Sequence, residues 1–510
     1  MSHPFYLTTA IAYVNGKPHV GHAYEFIASD AICRYHRMLG ENVFFLSGVD
    51  EHSAQVEKAA RDEGASTQDY CDKMAVVFRE LHEKLGSHLD GFIRTSEPRH
   101  HVTTQEMLRR SYEKGDIYKG HYEGWYCVSC EAFYQDDDLE ANNCCPVHKK
   151  PCEWLKEENY FFKLSKYTEA LKQHFQENPT FNQPDGYRNE MTAQLERGLK
   201  DISISRSTTK WGVPLPWDES HVAYVWFDAL SNYLTGVGFM KEEETFKTFW
   251  PADIHVIGKD INRFHSVLWP AMLMSCDLEL PKQVLVHGFI YHKGEKMSKT
   301  IGNIVDPLAL IEAYGRDPLR YFLLREVAFG QDGNYSEEAL INRYNADLAN
   351  DLGNLSSRVL SMVKKYRKCL VPNPAGSEDG LREAMEKARR QYRENMDKNA
   401  LHLALGAVWD LISYANRYVD EQAPWALAKD DGRQDQLDRV LLNLVEALRA
   451  AAVMIYPVMP DISLEMLRRL ACPVEGEHPL LADLDAWNLC AGRTIEPGPS
   501  LFPRIEKEEK

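Results

Sequence analysis

The chain has 510 residues, 44% of them hydrophobic and 26% charged, which is the balance of an ordinary folded protein with room for about three domains. No apolar run approaches the roughly 20 residues of a membrane span, and MSHPFYLTTA runs straight into a strand-like stretch, so the expectation is a cytoplasmic protein with no membrane partner and no leader. A net charge of −17 excludes a uniformly basic surface but not a local basic patch.

The stretch FYLTTAIAY, residues 5–13, is rich in β-branched and aromatic residues and predicts a short buried strand. Asn15-Gly16 signals a turn, and Pro18 suits the first position of a helix. Ala23, Phe26, Ile27, Ala31 and Arg34 then recur at helical spacing until Gly40, and NVFFLSG gives the next strand, ending at Asp50. Strand, turn, helix and strand make a βαβ unit of a parallel sheet, whose ligands sit at the carboxyl ends of the strands. His19 and His22 fall there, in a first helical turn where free backbone N–H groups favour an anion, and two imidazoles would add donors to a phosphate. The plainer reading is a pair of surface or capping histidines. Neither G-x-G-x-x-G nor G-x-x-x-x-G-K-[ST] occurs, which argues against a dinucleotide site and a Walker-type loop.

Five of the eleven cysteines lie between residues 127 and 152, in CVSCEAFYQDDDLEANNCCPVHKKPC. Cys127-x-x-Cys130, fourteen intervening residues and Cys145-x-x-His148 have the spacing of a structural zinc knuckle, in which two tight turns wrap four ligands around a tetrahedral ion. Free thiols or a disulfide are the rival, disfavoured for a cytosolic chain. Cys144 competes for the third position; Cys145 is preferred for its C-P-x-H turn, which leaves Cys152 spare. Four closed ligands leave no open position, so this metal would hold shape.

Residues 284–300, VLVHGFIYHKGEKMSKT, read as a strand to Ile290 followed by a polar loop with Lys293, Lys296 and Lys299 spaced by three. A lysine run is usually a solvated face, but on a loop after a strand it suits a mobile clamp for polyphosphate. From 346 onward the sequence turns helical, in LANDLGNLSSRVLSMVKKYRKCL, ALHLALGAVWDLISYANRYVDEQ and LDRVLLNLVEALRAAAVMIYPVM, with VPNPAGSEDG (371–380) as a loop between two of the helices. The basic residues Lys364, Lys365, Arg367 and Lys368 lie near a phosphate or on a solvated face with equal standing. No fixed-period repeat is present.

HVGH and KMSKT resemble the HIGH and KMSKS signatures of class I aminoacyl-tRNA synthetases, in order and on either side of the cysteine-bearing segment. TTAIAYVNGKPHVGH, FLSGVDEHS, YVWFDALSNY, GKDINRFHSVLWPAML, DEQAPWALAK and SLFPRI resemble methionyl-tRNA synthetases over essentially the whole chain, closest to short bacterial-type members with one zinc knuckle and without a C-terminal tRNA-binding extension. The resemblance implies an α/β fold: a Rossmann-like parallel-sheet catalytic domain in two halves (1–115 and 226–295), a zinc-bearing connective insertion (116–225), a signature-loop and stem-contact region (296–345) and an α-helical bundle that binds the anticodon (346–510). It implies a methionine–tRNA ligase that forms methionyl-adenylate from methionine and ATP, releases pyrophosphate, and passes methionine to the terminal adenosine of tRNA(Met).

By the same resemblance His19, His22, Lys296 and Lys299 carry catalysis at the phosphates, with Gly21, and Glu25, Gly258 and Asp260 meet adenosine and its ribose. Ala10, Ile11, Tyr13, Trp226, Ala229, Leu230, Tyr233, Ile261 and His265 line the methionine pocket, with Asp50 taking the α-ammonium. A thioether offers no strong hydrogen-bond handle, so shape, polarizable aromatic contacts and a weak donor from Tyr13 or His265 would select it. Asn354, Arg358 and Trp425 match positions that read the anticodon. Leu230 stands where many relatives carry proline, and Thr300 where the signature usually has serine. Structural zinc, magnesium with ATP and a monomer complete the expectation. The rivals are another class I synthetase, a non-catalytic tRNA-binding paralogue and a small-molecule adenylyltransferase. A large editing insertion, or zinc in the substrate pocket, would mark other class I members.

Overall fold

The computed structural model describes residues 3–127, 132–134, 136–146, 149–297, 302–374, 380–472, 474 and 476–506; the side chains of 122, 132, 133, 137, 155–157 and 296 fall outside that description. The apolar runs assemble as a parallel sheet. Strand β1 (Pro4–Thr9) pairs with β3 (Asn42–Asp50) in the register Tyr6 to Phe44, and on its other edge with β9 (Ile254–Gly258), Leu7 to Ile254. Beyond β9 lie β10 (Val284–His287) and the edge strand β8 (Asn182–Gln183), while β4 (Gly91–Arg94) pairs with β3. The run FYLTTAIAY is interrupted at Ala10 and Ile11 and resumes as β2 (Ala12–Tyr13), which returns to β3 at Val49 and Asp50. Strands covered on both faces read as continuous apolar sequence, and Tyr6, Leu7, Phe45, Leu46, Val256, Ile257, Leu285 and Val286 are all buried.

Helix α1 (Val20–Met38) lies on this sheet through Ala23, Phe26, Ile27 and Ala31. Its cap is His19, with extended backbone, so Pro18 precedes the helix and does not open it. Gly40 ends it at φ +80°, a conformation that favours glycine.

The run VLVHGFI is likewise not one strand. It leaves the sheet at Gly288, where a side chain would begin 2.2 Å from the carbonyl oxygen of Gln331. Ile290–His292 (β11) pairs instead with β12 (Glu295–Lys296) and β13 (Gly333–Tyr335). Lys293 and Gly294 at φ +54° and +81° make the two-residue turn between β11 and β12, so the expected loop begins as a β-hairpin.

In the insertion, β5 (Ile117–Cys127) and β7 (Glu153–Phe162) form a long antiparallel ladder, extended by β6 (Ala132–Tyr134). The strand β8 also falls within 116–225, so this segment contributes the edge of the main sheet as well as its own.

The C-terminal part is helical. After α2 (Arg316–Glu326) come α3 (Asn354–Arg367), α4 (Gly380–Met396), α5 (Leu401–Gln422), α6 (Gln434–Ile455) and α7 (Pro460–Arg469). Helix α4 lies outside the stretches expected to be helical, because its dense charge hides the buried stripe Leu381, Met385, Ala388, Tyr392 and Met396. A buried charge cluster joins the bundle to the sheet layer. Arg320 in α2 donates to Asp30 of α1 at 2.6 Å and to the carbonyls of Val458, Pro457 and Leu85. Burial opposes the charge of Asp30, but Arg34 and Arg320 hold its carboxyl well below the usual carboxylate range.

Candidate active site

The carboxyl ends of β1, β3, β9 and β10 open on one cleft, where α1 begins. Two interlocked ring contacts shape its first turn. His19 Nδ1 accepts the Gly21 N–H at 3.0 Å, and His22 Nδ1 accepts the His19 N–H at 3.1 Å. The two rings lie 4.1 Å apart between centroids. This capping box was the plainer reading of the pair, and it does not exclude the phosphate reading: a ring accepting through Nδ1 carries its proton on Nε2, as a donor. Gly21 is required by space, because a Cβ there would lie 2.8 Å from His19 Cε1 and 2.9 Å from its Nδ1. The first helical N–H, of Val20, donates to the Val305 carbonyl at 3.1 Å. That bond ties the histidine turn to the segment that follows the lysine signature. Lys296 ends β12, but its side chain, and all of Lys299 and Thr300, lie outside the described residues. Met297 packs half-buried against the core.

A cavity is lined by Ala10, Ile11, Tyr13, Asp50, Trp226, Ala229, Leu230, Tyr233, Ile261 and His265, together with Asn232. The first ten are the residues assigned to methionine by resemblance; Asn232 was missed. Trp226 stacks on Phe264 at 3.9 Å and meets Tyr13 edge-on. Tyr233 Oη lies 2.7 Å from His265 Nε2, and His265 Nδ1 lies 3.1 Å from the Ile261 carbonyl. Burial pushes His265 down to about 4, so the ring is neutral, with Nδ1–H on the carbonyl and Nε2 accepting from Tyr233. Both ring nitrogens are therefore engaged, which corrects the expectation of His265 as a donor to the thioether. Tyr13 keeps that place in the lining.

Asp50 is held from behind. Its Oδ1 accepts the His52 N–H at 3.2 Å, and His52 Nδ1 bonds Asp228 Oδ2 at 2.7 Å. Asp228 Oδ1 bonds His100 Nε2, also at 2.7 Å. Burial works against the charge of Asp228, yet the two imidazoles hold its carboxyl far below the ordinary range. Asp228 lies in the short helix Val225–Ala229 that also carries Trp226, so one carboxylate fixes the end of β3 and the aromatic wall together. No local signal announces this network, since its members are scattered over positions 52, 100 and 228.

At the opposite edge, Glu25 Oε1 accepts the Ala10 N–H at 2.9 Å and Oε2 meets His287 Nε2 at 2.8 Å. His287 Nδ1 faces the Gly288 carbonyl at 2.7 Å, so both its nitrogens face acceptors. Burial opposes its charge, but Glu25 outweighs this and the imidazole is raised above its ordinary value. Gly258 opens this corner: a Cβ there would lie 3.0 Å from Asp260 Oδ1 and 3.9 Å from His287 Cε1. Glu25, Gly258 and Asp260 thus stand together, and His287 joins them without a sequence signal, because histidine after an apolar run reads as core.

Of the zinc set, Cys130 and His148 lie outside the described residues. Cys127 and Cys145 are buried in one small cluster with Tyr134 and Cys152. Cys144 is half-exposed, its thiol toward the Asn142 carbonyl. Cys152, set aside as spare, sits against Cys127 and Cys145. Among the described residues no three donors close a metal site.

On the helical bundle, Asn354 and Arg358 project from α3 toward α5, where Asn416 and Asp420 meet them. Trp425 is 45% exposed, which removes the alternative of a core residue.

A family model described as class I tRNA synthetases (M) matches residues 5–151 and 137–360, and one for the anticodon binding domain of methionyl tRNA ligase matches 372–510. The chain belongs to the methionyl-tRNA synthetase family. The methionine–tRNA ligase of Thermotoga maritima is 46% identical over 99% of this chain and 81% of its own, and that of Brucella suis 46% over 99% of both. The structure of Mycobacterium tuberculosis methionyl-tRNA synthetase in complex with methionyl-adenylate superposes with a TM-score of 0.94 at 45% identity, covering 98% of this chain and 100% of that one. The apo form of that synthetase gives 0.88. The parallel sheet and helical bundle of this synthetase are the α/β architecture expected from its sequence.

Proposed function

We propose that the cavity between Trp226 and Tyr13 receives the methionine side chain, with Asp50 on its ammonium group, and that the histidine turn and the lysine hairpin hold ATP beside it. The chain is a methionine–tRNA ligase. The observation that carries the assignment of the site is the meeting of ten dispersed residues in one cavity, whose Ala10 N–H bonds Glu25 of the helix that the His19–His22 turn opens.

The chemistry follows from this geometry. Asp50, held by His52 and Asp228, orients the amino acid so that its carboxylate faces the α-phosphorus of ATP. In-line attack forms the mixed anhydride and expels pyrophosphate. His19 and His22 donate through Nε2, and Lys296 and Lys299 supply cationic charge, to oxygens whose negative charge grows in that step. Glu25, fixed by His287 and the Ala10 N–H, stands with Gly258 and Asp260 at the ribose. A magnesium ion bound with ATP would neutralise phosphate charge. The terminal adenosine hydroxyl of tRNA then takes the methionyl group, releasing AMP. Positioning and charge suffice, so no protein nucleophile is needed. Asn354, Arg358 and Trp425 form the surface for the anticodon, where an indole face stacks on an unpaired base.

Cys127, Cys130, Cys145 and His148 are the ligands we assign to a structural zinc. The burial of Cys145 beside Cys127, and the turning away of Cys144, support the choice between the two adjacent thiols. Zinc analysis should find about one ion per chain, lost on Cys145→Ser and kept on Cys144→Ser; the reverse would exchange their roles. The function is tested by pyrophosphate exchange across a panel of amino acids. Methionine should drive it best, homocysteine should compete within about 1–3 kcal/mol, and exchange driven better by leucine, valine or cysteine would overturn the assignment.

A further inference from the structure

One indole from the insertion reaches the end of β3, where Asp50 stands. The backbone there is held group by group, each time by a different segment. The Asp50 carbonyl accepts the Val14 N–H at 3.3 Å, the Glu51 N–H donates to Thr95 Oγ1 at 2.9 Å, and the His52 N–H donates to Asp50 Oδ1 at 3.2 Å. The Glu51 carbonyl accepts from Trp211, whose Nε1–H donates to it at 2.6 Å. Glu51 is wholly buried, so removal of the indole N–H would take a donor from a carbonyl that water cannot serve.

Trp211 is itself fixed from three sides. Its ring stands edge-on to that of His52, with centroids 5.4 Å apart. Its backbone N–H donates to Thr209 Oγ1 at 3.1 Å, and that hydroxyl donates to Glu57 Oε2 at 2.9 Å, in the helix Ala54–Asp62 just past His52. Two residues on, the Val213 carbonyl accepts the Ala223 N–H at 2.7 Å. Ala223 ends the strand Asp218–Ala223, which leads into the short helix bearing Trp226 and Asp228. The segment 209–213 therefore bridges two walls of the cavity, the one with Asp50 and the one with Trp226.

We propose that Trp211 is a positioning residue for the amino-acid substrate: by holding the Glu51 carbonyl it sets the direction in which the Asp50 carboxylate meets the methionine ammonium group. The inference rests on the placement of that ammonium group at Asp50. Trp211 does not line the cavity; it acts through the peptide that follows Asp50. A turn of that peptide moves the His52 N–H, which holds Asp50 Oδ1, and so re-aims the carboxylate. A charge-assisted hydrogen bond is strong only when well directed, and a small misplacement of a binding group is costly. The insertion thus serves amino-acid recognition from outside the pocket.

Trp211→Phe tests this, because it keeps an aromatic ring against His52 and removes the donor. In methionine-dependent pyrophosphate exchange, KM for methionine should rise about tenfold, with kcat and KM for ATP within about twofold of wild type. The readout that a loosened fold would not give is inhibition by 4-(methylthio)butanoate, which is methionine without its amino group. Its inhibition constant should stay within about twofold in the variant, since it presents no ammonium to Asp50. Thr209→Val, which unties Trp211 from Glu57, should give the same pattern at about threefold, and it decides the matter if Trp211→Phe melts early. Asp50→Asn separates the two levels. If it raises KM for methionine and Trp211→Phe does not, Trp211 has no positioning role; if it leaves KM unchanged, the ammonium assignment falls and the inference with it. Equal weakening of methionine and of the analogue in Trp211→Phe would also overturn the proposal.

Discussion

Gly21→Ala separates the helix from its chemistry. Within a helix, alanine is favoured over glycine by about 0.8–1 kcal/mol. Against that stands the His19 ring, which the new Cβ would meet at 2.8–2.9 Å. The ring must swing away, and its bond to the Gly21 N–H is lost, at about 1 kcal/mol for an N-cap. The two effects nearly cancel, so thermal stability should change little. The displaced ring no longer aims Nε2 into the cleft, and loss of one such preorganised donor slows the step by about 10²–10³. Methionine-dependent pyrophosphate exchange measures this directly, with a thermal melt as the control. Exchange within threefold of wild type in a stably folded variant would show that His19 serves the helix alone.

Tyr233→Phe leaves His265 Nε2 buried without its donor, at about 1–3 kcal/mol; KM for methionine should rise roughly tenfold, and an unchanged KM would detach this pair from the pocket. His287 has a raised folded-state value, so its pairing with Glu25, whose own carboxyl burial pushes up, weakens as pH rises through the raised imidazole value. KM for ATP should therefore climb on the alkaline side with kcat less affected, and His287→Gln should flatten the profile; the same alkaline limb in the variant would assign it elsewhere. Trp425→Ala should lower tRNA charging by the equivalent of about 1–3 kcal/mol while exchange stays intact, and equal losses in both assays would indicate misfolding instead.

The sequence made the βαβ core legible because its strands are covered on both faces and read as unbroken apolar runs. It misjudged where those runs break. Gly288 ends its strand for a reason set by a distant partner, Gln331, which no local pattern carries, and nothing local marks the break at Ala10 and Ile11. The cavity lining was readable only through resemblance, since Tyr233 and His265 are indistinguishable from core residues by spacing. The supports behind the site, Asp228 with His52 and His100, were invisible for the same reason: each is one polar residue whose meaning appears only when three segments meet. The α4 helix was passed over because its charge outnumbers its buried stripe.

One cleft must hold a triphosphate and a thioether side by side. A crystal structure of the protein with methionine and a non-hydrolysable ATP analogue tests this most directly. The thioether should lie between Tyr13 and Trp226, the ammonium group on Asp50, and phosphate oxygens within hydrogen-bond reach of His19 and His22. Methionine bound in that cavity with the triphosphate elsewhere, away from the histidine turn, would contradict it.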